Sequence, residues 1–516
     1  MKVNTVCVIG AGVSGLASAK VFLEEGYDIT VFEKQKGLGG VWEKSRTYPG
    51  LTTQSPRDTY AFPDYPMPVS YPEWPSADQI RTYLESYAQH FEITQKIRFN
   101  TEVIQVERKI GQKSGWIVSV RTQDSFSENF TVEQYEFDFV LVCNGAYHIP
   151  NIPEIPGKEE FIASGGQVLH TTEVNDPSLM KEKRTVVVGC GKSAVDIATL
   201  GVNHAIDCTL VFRQIPWLAS RFFLGRINIK YITLNRFAEM WLPYRHLKGL
   251  ERILHTIGKP LVWAFWRLNE IILRLQFGLD TCGMLPEKPL QQWIIASLGI
   301  APKDFYKNIQ SGKIRTKKSK VSRFVPSGVE LDNGDRLQAD LVVFGTGFRQ
   351  DVPFLEEKYR RLMIDDRGSF HLYRNILHPQ IPQMGFIGYN TSKFCPLTFH
   401  LSARWLVEYT LGNLTLPSAE EMLAQMEEEW NWKQTEWGEK SLDNGTSIFP
   451  FTFHYIEELL NDLGIGDRQQ GWQRILQAVT PIDPSAYKDL RQQLQMEETV
   501  LVVDSEAPNL VGSSRS

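Results

Sequence analysis

Val6-Cys7-Val8-Ile9-Gly10-Ala11-Gly12-Val13-Ser14-Gly15 decides the fold of this chain. Four apolar residues in a row predict a buried parallel strand, and the glycines follow it without a gap. Leu16, Ala17, Val21 and Phe22 then recur at helical spacing up to a stop near Gly26. Ile29-Thr30-Val31-Phe32 predicts the next strand, closed by Glu33. Strand, glycine turn, helix and strand make a dinucleotide-binding unit in which each small residue has a task. Gly10 permits the tight turn, Gly12 lets backbone approach a pyrophosphate, and Gly15 lets the helix pack closely on the strand. Ser14 lies in the first helical turn, whose unbonded N–H groups face the phosphates. Glu33, 23 positions after Gly10, stands where an acid accepts ribose hydroxyls.

A second glycine group, Gly37-Leu38-Gly39-Gly40-Val41-Trp42, follows the acidic strand. That position is typical of FAD-binding versions of this fold, so Gly40, Val41 and Trp42 join the FAD site. Further along, Thr185-Val186-Val187-Val188 runs into Gly189-Cys190-Gly191-Lys192-Ser193-Ala194, and helical Val195-Asp196-Ile197-Ala198 follows. Ala194 replaces the third glycine, a tolerated variant. The next strand, Cys208 to Phe212, ends in Arg213 instead of an acid. An acid there repels a 2′-phosphate and an arginine can pair with it, so NADP is favoured over NAD, with a mere surface arginine as the other reading. Lys192 either adds charge near the phosphates or is a solvated loop lysine. Two such sites in one chain are the mark of an enzyme passing electrons from a nicotinamide to a flavin.

An internal repeat sets the domain order. Asp138-Phe139-Val140-Leu141-Val142-Cys143-Asn144-Gly145 and Asp340-Leu341-Val342-Val343-Phe344-Gly345-Thr346-Gly347 share one pattern, a strand from Asp to Gly. Such strand ends are where the chain crosses between nucleotide domains, which brings Thr346 and Gly347 to the cofactors. Pro150, Pro153, Pro156 and Gly157 form a stiff connector after the first copy. The expected architecture is α/β, with two Rossmann-like dinucleotide-binding domains, the NADP domain inserted in the FAD domain. The FAD domain takes residues 1–160 and 325–425, and the NADP domain 161–324 with a helical insert at 214–300. A helical C-terminal region (426–507) and a frayed tail (508–516) complete the chain.

Composition excludes several classes. Of 516 residues, 42% are hydrophobic and 22% charged, as in a globular chain and unlike a disordered one. A net charge of −5 gives no case for a nucleic-acid partner. Cys7, Cys143, Cys190, Cys208, Cys282 and Cys395 never approach C-x-x-C spacing. They predict a reduced, cytoplasmic protein without a metal site or a redox disulfide, which argues against a disulfide reductase. Met1-Lys2-Val3 runs straight into the first strand, so no secretory signal is expected. The most apolar stretch, Leu261 to Leu279, is broken by Arg267, Glu270 and Arg274 and is not expected to span a membrane.

Several stretches together are more specific than either glycine loop. They are Gly10 to Gly15, Gly39-Gly40-Val41-Trp42, and Gln54-Ser55-Pro56-Arg57 with Phe62-Pro63-Asp64-Tyr65-Pro66. Gly189 to Ala194, Asp340 to Phe348 with Pro353-Phe354, Ala403-Arg404-Trp405, and Leu416-Pro417-Ser418 with Met422 continue the set. In these motifs the sequence resembles the class B flavin-dependent monooxygenases, and within them the flavin-containing, N- or S-oxygenating (dimethylaniline monooxygenase-like) family. The resemblance implies that NADPH reduces FAD and that dioxygen adds at the flavin C4a carbon. The hydroperoxide then gives its distal oxygen to the nitrogen of an amine or the sulfur of a sulfide. Gln54 corresponds to the family's flavin-side amide, a donor that carries no competing charge, and is the candidate catalytic residue. In the family's linker motif, Gly166 and His170 match, Ser164 replaces a phenylalanine, and Val174 stands at the branch-marking aromatic. His170 is therefore read as a linker residue. Baeyer–Villiger oxidation of a ketone stays open as the alternative chemistry, and a non-catalytic redox-sensing flavoprotein as the alternative class. His400 and Ser402 replace the family's usual Glu and Gln in a flavin-contacting segment, so His400 is either a local specialisation or a structural histidine.

One region departs from the mean. From Arg213 to Arg274 there are eleven Lys or Arg and three acids, Glu239, Glu251 and Glu270. Trp217, Trp241, Trp263 and Trp266 fall in the same stretch. Arg267, Glu270 and Arg274 predict one polar stripe on an apolar helix, with Glu270–Arg274 as an i,i+4 pair. Two readings stay open for this insert, a helical subdomain packed over the NADP domain and a peripheral contact with an anionic membrane.

Overall fold

Two five-stranded parallel sheets carry the two glycine turns. A computed structural model describes residues 3–109, 111, 114–123, 130–294, 299–437, 445–466 and 478–495. The first sheet runs Met384–Phe386, Phe139–Val142, Thr5–Ile9, Asp28–Phe32, Ile97–Arg98 in spatial order. The second runs Arg315–Lys318, Asp207–Phe212, Arg184–Val188, Leu341–Phe344, Gln167–His170. Alternation along each strand divides its side chains between two layers. Val6 and Val8 face the helix Val13–Glu24, while Cys7 and Ile9 face Val103, Val106 and Trp116 of an antiparallel meander. In the second lobe Val187 packs with Val195 and Ile197 of the helix Lys192–His204, and Val186 with Phe324 and Val329 of another meander.

The repeat seen in the sequence is thus a duplication of whole lobes. Each meander leads into the strand that follows Asp138 or Asp340. The Asp138 carboxylate accepts the N–H groups of Asn4 and Thr5 at 2.9 and 3.0 Å. Asp340 accepts the N–H of Arg184 at 2.8 Å, and hydrogen bonds from Arg184 hold its carboxyl down at about 2. Each aspartate therefore sets the register of its own strand against the central one.

This pairing corrects one expected boundary. The sequence places residues 325–344 in the FAD domain, but Leu341–Phe344 lies between Arg184–Val188 and Gln167–His170 in the second sheet. The meander Val321–Val325, Gly328–Leu331 and Arg336–Gln338 covers that same sheet. The second lobe therefore continues to Phe344, because its central strand needs a parallel neighbour on both sides. Beyond it the chain crosses back in a short ribbon, Phe348–Arg349 antiparallel to Ile149–Pro150.

The C-terminal residues add to the first lobe's core. Ser418 and Glu421 cap the helix Ala419–Trp437 reciprocally, at 2.8 and 3.3 Å. Met422, and Tyr455, Ile456 and Leu459 of the helix Thr452–Asp462, join the cluster around Val13–Glu24. The expected tail 508–516 and the parts of 426–507 at 438–444, 467–477 and 496–507 lie outside the described residues.

The insert is mainly helical, with a hairpin (Phe222–Phe223, Ile227–Asn228) near its start and the long helix Lys259–Phe277. Trp266 and Leu273 of that helix share a core with Ile197 and Leu210 of the second lobe. The expected Glu270–Arg274 pair does not form. Glu270 is drawn inward to Arg267 at 2.7 Å and to the N–H of Leu290 at 2.6 Å. Arg274 turns to Asp280 at 2.5 Å. A half-buried carboxylate takes the partners that also satisfy a buried N–H.

His454 staples the insert to the C-terminal helices. Its Nδ1 lies 3.0 Å from Glu239 and its Nε2 3.1 Å from Glu251. Burial works against its charge, but hydrogen bonds and attraction from both glutamates prevail and hold the imidazole up at about 9. A folded-state value above the unfolded one stabilises fully below the ordinary histidine range, and the contribution is lost as pH rises through about 9. His454→Gln is accordingly expected to lower stability by about 3 kcal/mol near pH 6 and far less near pH 10. Denaturant titration of both proteins at the two pH values measures this, and an equal loss at both would refute it.

Candidate functional site

Both glycine turns open onto one cavity of about 1580 Å³ between the lobes. Each turn is shaped by a backbone that only glycine adopts easily. Gly10 has φ +104°, and a Cβ there would lie 2.7 Å from the carbonyl oxygen of Cys143. Its counterpart Gly189 has φ +122°, with the Gly345 carbonyl at 2.4 Å. A Cβ on Gly40 would come within 3.0 Å of the Gly12 Cα, so two loops meet there through backbone alone.

The helices that follow begin after glycine N-caps, Gly12 and Gly191. Neither cap has a side-chain hydrogen bond and neither first turn holds an acid. Their N–H groups are thus left to the cavity, with the positive end of the helix dipole behind them, an arrangement that fits a phosphate. Glu33 closes the first lobe's end of the cavity. Burial raises its carboxyl, against the N–H groups of Ala11 and Gln35, each donating to it at 2.8 Å. The remaining lone pairs can accept ribose hydroxyls.

The structure brings most of the expected residues to this wall. Gly10, Gly12, Ser14 and Glu33 line it, as do Gly40, Val41, Trp42 and Gln54. From the second lobe and its return crossing come Gly189, Gly191, Lys192, Ser193, Arg213, Thr346 and Gly347. Gly15 and Ala194 are corrections, because neither lines the cavity. A Cβ on Gly15 would sit 1.8 Å from the Gly10 carbonyl oxygen, so the residue serves helix–strand contact. Ala194 fills the equivalent space, and its Cβ is 2.5 Å from where one on Gly345 would stand.

Lys192 is neither a solvated lysine nor an unpaired phosphate ligand. It pairs with Asp196, which also accepts the Tyr48 hydroxyl at 2.7 Å, so the trio joins the two lobes. Gln54 reaches the other lobe as well, its Oε1 accepting the N–H of Ile300 at 3.3 Å. Arg213 stands exposed at the rim and forms no ion pair with any described residue. Thr346 and Gly347 tie the crossing ribbon to Asn151, whose N–H donates to the Gly347 carbonyl at 3.0 Å.

His170 lies at the end of Gln167–His170, where the second sheet meets the return crossing. It is fully buried, its Nε2 lies 3.1 Å from the Gly347 carbonyl, and burial lowers its pKa. Val174 is buried in the second lobe's core. His400 does not line the cavity; it lies buried in the helix Cys395–Leu411, held neutral by burial at about 3.

Lys320 and Lys393 are among the wall residues that escaped the sequence reading. Lys320 lines the same rim as Arg213, because Phe212 pairs with Lys318 and the Ser319 N–H donates to the Phe212 carbonyl at 2.9 Å. Lys393 lies on the wall over the Phe449 ring, and burial, with Lys192 adding to it, lowers its ammonium to about 8. Neither sits in a motif, and a pairing register or a fold-back from a distant segment leaves no local signal.

Comparison with known proteins agrees with this geometry. The model of the flavin-binding monooxygenase-like family matches residues 3–467. A probable flavin-containing monooxygenase 1 of Arabidopsis thaliana is 29% identical over 525 residues, covering 94% of this chain and 96% of that protein. Among solved structures, the S-allyl-L-cysteine S-oxygenase of Allium sativum superposes with a TM-score of 0.61 at 19% identity, covering 98% of this chain and 100% of that one. The polycyclic ketone monooxygenase of Thermothelomyces thermophila gives 0.69 at 15% identity, covering 89% and 88%. These two structures share the fold. The chain belongs to the flavin-binding monooxygenase-like family: it is a flavoprotein monooxygenase with FAD and NADP as cofactors, acting on a small molecule and dioxygen.

Proposed function

We propose that this protein uses NADPH, FAD and dioxygen to oxygenate a soft nucleophile, the nitrogen of an amine or the sulfur of a sulfide. The observation that carries this reading is a single cavity shared by both glycine turns and Gln54. When bound, the cofactors supply hydride and activation of dioxygen, and the chain's task is to bind, orient and exclude water. We assign FAD to the first lobe, where the turn Gly10–Ser14 takes the pyrophosphate, Glu33 the ribose, and Gly40 to Trp42 the neighbouring wall. NADP goes to the second lobe, on Gly189, Gly191 and Ser193, with Arg213 and Lys320 on the 2′-phosphate. Thr346 and Gly347 close the wall between them.

Gln54 is the polar group assigned to the reacting oxygen. The Ile300 N–H holds its Oε1, which leaves its NH2 group as the donor. Elsewhere on the cavity wall, Leu51, Leu218, Phe399 and Phe449 present apolar surface and disfavour water. Gln54→Ala is expected to raise the peroxide released per NADPH about fivefold, the worth of one hydrogen bond of about 1 kcal/mol. Unchanged coupling would remove Gln54 from the role. The reading as a whole is tested by product analysis with methyl phenyl sulfide, N,N-dimethylaniline and cyclohexanone. Sulfoxide or N-oxide formed in step with NADPH consumption is the expected result. A lactone from the ketone alone would place the chain on the Baeyer–Villiger branch, and NADPH consumption without any product would refute oxygenation of all three classes.

A further inference from the structure

Lys393 is a cation of the cavity wall that belongs to neither glycine turn. It stands just before the helix Cys395–Leu411, in a segment pinned by backbone. The Thr391 N–H donates to the Thr446 carbonyl at 2.8 Å, and the Ile448 N–H to the Thr391 carbonyl at 3.1 Å. This pairing lays Phe449 alongside, and the ammonium lies 5.3 Å from the centre of its ring. Phe449 in turn packs against the core of the second lobe. A side chain that starts on the first lobe is thereby directed to the boundary between the two.

Gln54 belongs to the same neighbourhood. The hydroxyl of Ser55, the next residue, donates to the Lys393 carbonyl. Across the boundary, a Cβ on Gly299 would meet Leu218 at 3.4 Å, the Lys192 Cβ at 3.5 Å and the Gln54 Oε1 at 3.7 Å. Lys192 is also one of the charges that act on Lys393. Its own ammonium is engaged by Asp196, which accepts the Tyr48 hydroxyl as well. Lys393 is half-buried, and its surroundings desolvate the ammonium enough to lower it to about 8, which leaves it protonated at neutral pH. A desolvated cation is strongly favoured by an anion brought beside it. An ammonium has three donors, so a contact within the protein leaves others for a ligand.

We propose that Lys393 binds a carboxylate of the substrate, so that the protein acts on small acids that carry an amine or a sulfide. The inference rests on the oxygenation proposed above and specifies which nucleophiles are taken. The carboxylate fixes one end of the molecule, its hydrocarbon lies on Leu218 and Phe449, and the nitrogen or sulfur is turned toward Gln54. Holding a remote group in this way orients the reacting atom without competing for the transferred oxygen. One ammonium makes a point contact, which suits a singly charged carboxylate. Phosphates are matched instead by the N–H groups of the two glycine turns.

The test compares 3-(methylthio)propanoate with its neutral isostere 3-(methylthio)propanamide on the flavin-loaded, full-length protein. Two quantities are read, the Kd of each compound for the oxidised protein by equilibrium dialysis and kcat/KM for sulfoxide formation with NADPH. The acid is expected to be preferred about 30-fold in both, the worth of one charge-assisted hydrogen bond. Lys393→Met is expected to bring that ratio to about one, and Lys393→Arg, which keeps the cation, to retain most of it. A parent without preference for the acid overturns the proposal, as does a Lys393→Met protein that keeps the preference. An unchanged ratio together with a shifted flavin midpoint potential in Lys393→Met would assign the ammonium to the flavin instead. Because binding is read without turnover, the two readings fail separately. Preferential binding of the acid with no sulfoxide from either compound would uphold the carboxylate site and refute sulfide oxygenation. Sulfoxide from both at equal kcat/KM, with equal Kd, would do the reverse.

Discussion

Gly10→Ala is expected to yield little soluble protein and no bound flavin, whereas Gly189→Ala keeps its flavin and loses reduction by NADPH at least a hundredfold. The local insult is the same in kind at both sites. Each alanine would occupy a left-handed backbone, at φ +104° or +122°, and drive its Cβ to 2.7 or 2.4 Å from a backbone carbonyl. Strain of about 1–3 kcal/mol and overpacking of about 1–3 kcal/mol add up, because Cys143 and Gly345 follow strands paired on both sides, which cannot retreat. The consequences differ because the sheets are separate. Gly10 follows the central strand of the sheet that we assign to FAD, packed against the helix Val13–Glu24, the C-terminal helices and a meander. Gly189 distorts a lobe with its own two core layers, and no strand of the first sheet pairs with it. Bound-flavin absorbance per protein and the rate of anaerobic reduction by NADPH measure the two effects. Loss of flavin in Gly189→Ala would show that the lobes do not fold as separate units.

Arg213→Ala is expected to raise KM for NADPH about 30- to 150-fold while moving KM for NADH less than threefold. The guanidinium stands exposed at the end of Asp207–Phe212, without an ion pair to a described residue that would have to break first. Charge-assisted hydrogen bonds to a phosphate are worth about 2–3 kcal/mol, which converts to that range. NADH lacks the 2′-phosphate and so reports only the shared contacts. Lys320→Ala should act in the same direction with a smaller factor, since an ammonium makes a point contact where a guanidinium makes a fork. Equal losses with NADPH and NADH in Arg213→Ala would mean that the arginine serves the lobe and not the phosphate.

Much of this site was legible as sequence because its chemistry depends on backbone. A turn that must bring N–H groups to a phosphate needs glycine at fixed intervals, and those intervals survive as a pattern in one dimension. The same holds for Glu33 and Arg213, which are placed by the end of a strand whose start the glycines already mark. The repeat from Asp to Gly was legible as well, although its role was not. Only the pairing of Asp138 with Asn4 and Thr5, and of Asp340 with Arg184, shows that each aspartate aligns two strands. The boundary placed at 325 was early for the same reason. Which sheet takes the strand Leu341–Phe344 is a matter of long-range pairing and not of composition.

The sequence by itself therefore determined the two glycine turns and the strand–helix–strand units around them, on which the phosphate and ribose contacts are proposed, since these follow from local backbone geometry. Tertiary structure decided which side chains meet across the lobes, as with Tyr48 and Asp196 or Gln54 and Ile300, and which share a rim within one lobe, as Lys320 and Arg213 do. It also decided which face of the insert is turned outward. The helix Lys259–Phe277 is apolar on both sides, so periodicity could not tell the face that packs from the face left exposed. Packing against the second lobe takes Trp266 and Leu273 and leaves Leu261, Leu268, Ile271 and Leu275 uncovered.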